Sequence, residues 1–346
     1  MNAPRVSVCL PCHDAAATLP RALESLLAQT LTDFEIVAVD DGSTDATGDI
    51  LADCARRDSR LRPIRIAHSG VALAFAQAVG ASRAPYIARM DADDQCPPNR
   101  LAAQAELLDA DPALDVVSGL VRFGGDRQAS RGYALHVDWL NTLISHEDIA
   151  LSRFVESPLC NPSTMFRRAS WERFGGPRKS PPGQPFPEDY EMWLRWLELG
   201  ARIGKVSEEV LIWHDPPTRL TRTHADYSDM AFATIRAKYL WRWLARRNPA
   251  HPCVHVWGAG RVSRQRLAPL SALGLEISAY IDIDARKIGQ RVHGVPVLSR
   301  ETLPAPDSPD APFLLVNVGS RGAREEIREW LEERGWKAGE GFMVVG

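Results

Sequence analysis

The stretch from Val6 to Met90 repeats one pattern, and that pattern limits the fold more than any other feature of the chain. Short apolar runs at Val6–Leu10, Phe34–Val39, Arg65–Ala67 and Pro85–Met90 alternate with segments of helical spacing. Those segments are Thr18–Gln29, with Leu19, Leu23, Leu26 and Leu27 on one face, Thr44–Arg57 and Val71–Ala81. Thr18 is placed to cap the first helix, and Ser43 or Thr44 the second. Strands separated by helices are expected to lie parallel in one sheet, with helices covering both faces. In such α/β sheets ligands bind beyond the carboxyl ends of the strands. Asp14, Asp41 and Asp91 each follow a strand end, so the pattern gathers them on one edge.

At 346 residues the chain has room for two domains. The boundaries expected are 1–225 for the first, 226–250 for a helical extension and linker, and 251–346 for the second. A net charge of −3 argues against a general nucleic-acid binder, which carries a basic excess. No run of about twenty apolar residues occurs, so no transmembrane helix is expected. The start shows no signal-peptide pattern, which leads to the expectation of a cytoplasmic protein. Cys9, Cys12 and His13 fit the haem-attachment spacing C-x-x-C-H, but they end what reads as a core strand, so buried cysteines are expected there.

The strongest chemical signal is Asp91-Ala92-Asp93-Asp94 at the end of the fourth strand. Carboxylates at i and i+2 project the same way from an extended segment. Together they suit one hard divalent cation, Mg²⁺ or Mn²⁺, bridging the phosphates of a nucleotide. Alone, such a triplet is as readily a solvated loop; its place after repeated βα units favours the metal. The second signal is Val39-Asp40-Asp41-Gly42-Ser43, where a strand-end carboxylate can accept a base imide or a ribose hydroxyl.

These stretches, with Val6-Ser7-Val8 and Pro11, the Gln29-Thr30 helix end, Asp33–Val37 and Asn161-Pro162-Ser163-Thr164-Met165-Phe166-Arg167, resemble family-two glycosyltransferases of GT-A fold. The resemblance runs from about Arg5 to Thr223. Where such proteins often carry Tyr-Asn, this chain has His13-Asp14. Where they often carry Asn-x-Gly, it has His68-Ser69-Gly70. The resemblance implies an inverting transferase that takes a sugar from a nucleotide diphospho-sugar, most simply a UDP-sugar. It implies a hydroxyl acceptor on a glycan or lipid-linked molecule, as in cell-surface glycan and polysaccharide synthesis. Pro11, Asp14, Asp41, Asp91 and Arg222 would then meet the donor. Asp91 and Asp93 would hold the metal, with Asp94 and His214 as further ligands. In the family an acidic residue at a helix N-terminus is the base, which here is Asp189 with Glu188 beside it; simple helix capping is the alternative.

Tyr227–Arg246 reads as a helix with Tyr239, Trp241, Trp243 and Arg242. A basic aromatic helix can lie on a membrane surface, at the inner face where lipid-linked acceptors reside. Packing between domains is the simpler expectation. After Pro249 and Pro252 a new strand, Cys253–Trp257, leads into Gly258-Ala259-Gly260, two of the three glycines of a dinucleotide loop. Asp282 follows at the distance of a ribose-binding acid. This part resembles the small Rossmann-like domain in front of bacterial sugar acetyltransferases, which implies a nucleotide-sugar site at Gly258, Gly260 and Asp282. A strand at Phe313–Gly319 and a helix at Arg321–Arg334 close the domain. Two rival readings stand: a catalytically degenerate nucleotide-sugar-binding protein, and an NAD-linked oxidoreductase module, for which no catalytic residue set is present.

Overall fold

The computed structural model describes residues 3–181, 183–216, 219–320 and 322–346. The chain forms two compact units, Met1–Ile149 with Pro158–Tyr227, and Ala150–Ser157 with Ser228–Gly346.

The first unit opens as the alternating pattern dictates: β1 (Val6–Cys12), α1 (Leu19–Leu27), β2 (Phe34–Asp41), α2 (Thr47–Arg57), β3 (Leu61–Ile66), α3 (Val71–Ala81) and β4 (Tyr86–Arg89). It continues with α4 (Arg100–Ala110), β5 (Val116–Phe123), α5 (Arg131–Thr142) and α6 (His146–Ser152), whose last residues belong to the second unit. Then come β6 (Met165–Arg167), α7 (Arg168–Phe174), α8 (Glu188–Glu198), β7 (Ile203–Trp213) and α9 (Leu220–Thr223). The seven strands form one sheet in the order β3-β2-β1-β4-β6-β5-β7. Strands β1, β2 and β4 are buried along their whole length, as befits the middle of a sheet covered on both faces. Six strands run alike; β6 is antiparallel to both neighbours. This is the α/β architecture of the GT-A fold.

Several expected boundaries shift for local reasons. Thr18 makes no capping bond, and Thr47 rather than Thr44 begins the second helix, because Oδ1 of Asp45 accepts the Thr47 N–H at 2.9 Å. The third strand runs Leu61–Ile66, not Arg65–Ala67. It is an edge strand with alternate residues exposed, so its charged positions hid it. Gly200 follows α8 with φ +92°, the left-handed residue expected after a helix end.

The second unit begins with α10 (Asp229–Arg247), which packs with α11 inside that unit rather than forming a free extension. Strands β8 (Cys253–Trp257), β9 (Glu276–Asp282), β10 (Arg291–Val292), β11 (Val295–Ser299), β12 (Leu314–Val316) and β13 (Phe342–Val344) alternate with α11 (Arg261–Ser271) and α12 (Ala323–Glu332). The sheet order is β10-β11-β9-β8-β12-β13, parallel except for β10. The strand order reverses between β8 and β12. Trp241 lies on His251, and Trp243 on Phe154 and Phe313, so both half-buried rings take part in the unit's own packing. Arg321, the expected first residue of the last helix, lies outside the described residues. No helix among the described residues is long and apolar enough to cross a membrane.

Candidate active site

The ends of β1, β2 and β4 do converge, and each delivers a distinct piece of chemistry. Pro11 lies within β1 opposite Val39 of β2, past the last residue that pairs with β4. Its missing N–H therefore costs no bond to β4. Cys9 and Cys12 are buried beside it, and burial pushes both thiols up, which suits inert core residues.

Asp41 ends β2 and is buried. Its Oδ1 accepts from the backbone N–H (2.7 Å) and the hydroxyl (2.9 Å) of Ser69, and its Oδ2 from the Gly70 N–H (2.9 Å). Nδ1 of His68 also lies 3.1 Å from its Oδ2, so both carboxylate oxygens are engaged. The His13 and His68 rings stack 4.2 Å apart beside it. Asp14, at φ +45°, points elsewhere: its Oδ1 accepts the Thr44 N–H at 2.7 Å, the main cause of its lowered pKa. It holds the loop after β2.

Beyond β4, the four residues Asp91–Asp94 divide into three kinds. Asp91 is part-exposed and its Oδ1 accepts from Nε of Arg89 at 3.0 Å. Asp93 carries a pKa raised by burial and then by the charge of Asp91. Asp94 is buried, its Oδ1 accepts the His214 N–H at 2.8 Å, and burial with its two acidic neighbours pushes its pKa well up. Asp94 thus ties the β4 end to the β7 end and is not presented as a ligand. His214 is not presented either. Nε2 of its ring meets Gln95 Oε1 at 3.0 Å, and burial lowers its pKa. A Cβ on Gly124 would lie 2.7 Å from its Nδ1, so both ring nitrogens face protein.

Across from these carboxylates, Glu188 and Asp189 open α8. Glu188 is buried and its Oε2 accepts from the Tyr227 hydroxyl at 2.7 Å. Burial, then the charge of Asp189, raises its pKa to about 7. Asp189 is less enclosed, and burial raises its pKa while Arg89 draws it back. Arg89 sits at the centre: burial alone would lower its pKa, but Asp91, Glu188 and Asp189 together outweigh it. Its guanidinium also lies over the Phe75 ring at 4.7 Å. Its backbone is fixed by the Asn161–Arg167 stretch, since Thr164 O accepts the Arg89 N–H at 2.9 Å. Buried Arg100 bridges the Arg89 and Pro162 carbonyls at 2.6 and 2.7 Å.

Arg222 was expected at the diphosphate, but it is occupied otherwise. Its Nε donates to Oδ1 of Asp215 at 2.8 Å and it lies over Tyr133. Arg219 lies nearer the acidic residues after β4 in charge terms, lowering the pKa values of Asp93 and Asp94. Its guanidinium lies 3.8 Å from the Trp213 ring centre, and its charge also lowers the pKa of Asp189. Its Nη1 is buried and has no hydrogen-bond partner. Arg89 and Arg219 were both missed in the sequence. Arg89 reads there as one more strand residue, and Arg219 as one of several basic residues in a loop.

Residues 7–175 match the family described as Glycosyl transferase family 2. The match covers just under half of the chain. The chain is 36% identical over 129 residues to the uncharacterized glycosyltransferase EpsJ of Bacillus subtilis (strain 168), covering 36% of each chain. It is 30% identical over 208 residues to the chondroitin synthase of Escherichia coli, covering 59% of this chain and 28% of that one. The chain therefore spans about a third of the length of these curated relatives. Among solved structures, the mannosyltransferase PcManGT from Pyrobaculum calidifontis, in complex with GDP-Man and Mn²⁺, is similar with a TM-score of 0.47 and 21% identity, over 71% of this chain and 64% of that one.

In the second unit the loop Gly258-Ala259-Gly260 follows β8 at the point where the strand order reverses. Gly258 has φ +118°, and a Cβ there would fall 2.5 Å from the Asn317 carbonyl oxygen. Asp282 ends β9, but its carboxylate is taken. It accepts from the Ala259 N–H (3.2 Å), the Asp284 N–H (3.0 Å) and the Lys287 ammonium (2.8 Å). It steadies the glycine loop instead of standing open to a ribose.

Proposed function

We propose that the protein is a metal-dependent, inverting glycosyltransferase that moves a sugar from a nucleotide diphospho-sugar, of the UDP type, to a hydroxyl on a glycan or lipid-linked acceptor. The observation that carries this reading is the unpartnered, buried Nη1 of Arg219 beside the Asp91–Asp93 carboxylates. A cationic donor without a partner and two crowded carboxylates at one strand end together fit a diphosphate bound with a divalent cation.

The donor set supports a hard cation. Asp91 and Asp93 offer only oxygen, which suits Mg²⁺ or Mn²⁺. The Asp93 pKa is raised first by burial and then by the charge of Asp91, and a bound cation would offset both. When bound, such a cation supplies charge neutralisation at the diphosphate leaving group. The remaining work falls to the chain. Asp41 accepts from the nucleoside, and Arg219 donates to the diphosphate. Asp189 accepts the proton of the acceptor hydroxyl as that oxygen bonds to the anomeric carbon and the sugar–phosphate bond breaks. Burial raises the Asp189 pKa and the charge of Arg89 draws it part of the way back, toward the carboxylate form a base needs.

In the second unit we place a nucleotide-binding site at the Gly258–Gly260 loop and the start of α11, where free N–H groups favour phosphate. The setting proposed for the whole is cell-surface glycan synthesis at the cytoplasmic side of a membrane. The direct test incubates the full chain with common UDP- and GDP-sugars, with and without Mn²⁺. Nucleoside diphosphate release from one donor, lost in EDTA, is expected. A folded protein that releases none with any donor would leave a binding role only.

A further inference from the structure

The replacements His13 and His68 put two imidazoles beside the strand-end carboxylate Asp41. His13 follows β1, Asp41 ends β2 and His68 follows β3, so three adjacent strands bring them together. One nitrogen from each ring and one oxygen of Asp41 lie within 4.8 Å of one another. Nδ1 of His13 is 2.8 Å and Nδ1 of His68 is 3.1 Å from the Asp41 carbonyl oxygen, and Nδ1 of His68 is also 3.1 Å from Asp41 Oδ2. A neutral imidazole that donates from Nδ1 to a carbonyl keeps its lone pair on Nε2, which is how metal-binding histidines are usually oriented. The carboxylate is itself fixed by Ser69 and Gly70, again as in a supported ligand set.

We infer that His13, Asp41 and His68 form a site for a zinc-class transition ion. It is built from residues other than Asp91 and Asp93 and selects a different metal. Two imidazoles and one carboxylate are the three-ligand set of zinc sites that keep a position open, whereas all-oxygen sets favour Mg²⁺ or Mn²⁺. A tetrahedral zinc holds its ligand atoms roughly 3.3 Å apart, so the rings must close by about an ångström or more. The two rings are 42% and 60% exposed, so closing on an ion exchanges the contacts of His13 with Asp14 Oδ2 and of His68 with Asp41 Oδ2 without displacing packed core. Because Asp41 belongs to both sets, the ion and a nucleotide exclude one another. That exclusion, and only that, rests on the reading of Asp41 as the nucleoside contact.

The test uses tag-free full-length protein in excess Mg²⁺, titrated with Co²⁺. Cobalt held tetrahedrally by imidazoles absorbs strongly in the visible, whereas cobalt in an octahedral oxygen site absorbs weakly. One equivalent of strong absorption is expected, displaced by Zn²⁺, retained in Asp93→Asn, and at least tenfold weaker in affinity in His13→Ala and His68→Ala. These exposed replacements should leave the thermal melt unchanged. No strong band, or a band that survives both histidine changes, overturns the site. UDP is expected to weaken cobalt binding; unchanged binding overturns the exclusion while leaving the site and the transferase reading standing.

Discussion

The Tyr227 hydroxyl donates a 2.7 Å hydrogen bond to Oε2 of Glu188, while the charge of Arg89 acts on the same carboxylate. The hydrogen bond is the main favourable contact of a carboxylate otherwise disfavoured by burial, and the Glu188 pKa still rises to about 7. A carboxyl whose folded pKa exceeds its unfolded value binds its proton more tightly when folded. Its contribution to stability is therefore full below the unfolded pKa and is lost as pH rises through about 7. Glu188→Gln removes that loss. The variant should match the wild type near pH 4 and exceed it at pH 8 by on the order of 2 kcal/mol. Urea unfolding at both pH values checks this, and equal gains at both would contradict it.

Asp93 and Asp94 are adjacent but should fail differently. Asp93→Asn removes a carboxylate of the proposed metal site and should abolish cation-dependent transfer while the protein stays folded, a loss of several kcal/mol in transition-state stabilisation. Asp94→Ala should instead lower the melting temperature, because it removes the buried oxygen that accepts the His214 N–H. Activity titrated against Mn²⁺, alongside a thermal melt, separates the two. Full activity of the wild type in EDTA would remove the metal from the account.

Much of this was legible in the sequence because the strand-end rule does not depend on detail. Asp41, Asp91 and Asp93 follow strands whose apolar runs are unmistakable, so their meeting at one edge follows from topology alone. The middle of the chain was not legible. Strand β6 is three residues long and antiparallel, and no periodic signal survives in so short an element. Segment Ala150–Ser157 joins the second unit through Phe154 and Trp243, a contact that sequence distance conceals. Side-chain allegiance was equally hidden. Nothing in the spacing says that Arg222 pairs with Asp215, that His214 turns to Gln95, or that Asp282 is consumed by Lys287.

Asp189→Asn should keep donor binding and lose turnover by roughly 10²- to 10⁴-fold, the usual worth of a general base. The product should carry inverted anomeric configuration, since one base serves one displacement. Proton NMR of the product and kcat for the variant test both points. A retained configuration, or a near-normal kcat, would remove Asp189 from the role.

The two arginines give a sharper comparison. Arg219→Ala removes the guanidinium with an unpartnered nitrogen near Asp93 and should weaken both kcat and donor KM, together by at least tenfold, for loss of a charge-assisted bond to phosphate. Arg222→Ala breaks an ion pair with the buried Asp215 side chain, a hydrogen bond to Ser130 and a stack on Tyr133, so it should lower the thermal melt while changing donor KM less than threefold. Equal effects, or the reverse order, would return the diphosphate contact to Arg222.

The second unit offers one position where a charge can be added without strain. Gly260 caps α11 with φ −65°, and a Cβ there has only the Ser263 hydroxyl near, at 3.9 Å. Aspartate is a favoured residue at a helix N-cap, so Gly260→Asp should fold at least as stably as the wild type. Its carboxylate would occupy the place where the first-turn N–H groups receive a phosphate, and would repel one. Binding of UDP to the full chain is measured by calorimetry in EDTA, which leaves the Asp91–Asp93 site without its cation. Wild type and Gly260→Ala should bind alike, and Gly260→Asp at least tenfold more weakly. The Arg266 guanidinium lies against Gly319 on the far side of the strand-order reversal, so Arg266→Glu should act in the same direction. If Gly260→Asp binds UDP as the wild type does, the loop is a structural turn and the second unit has no nucleotide there.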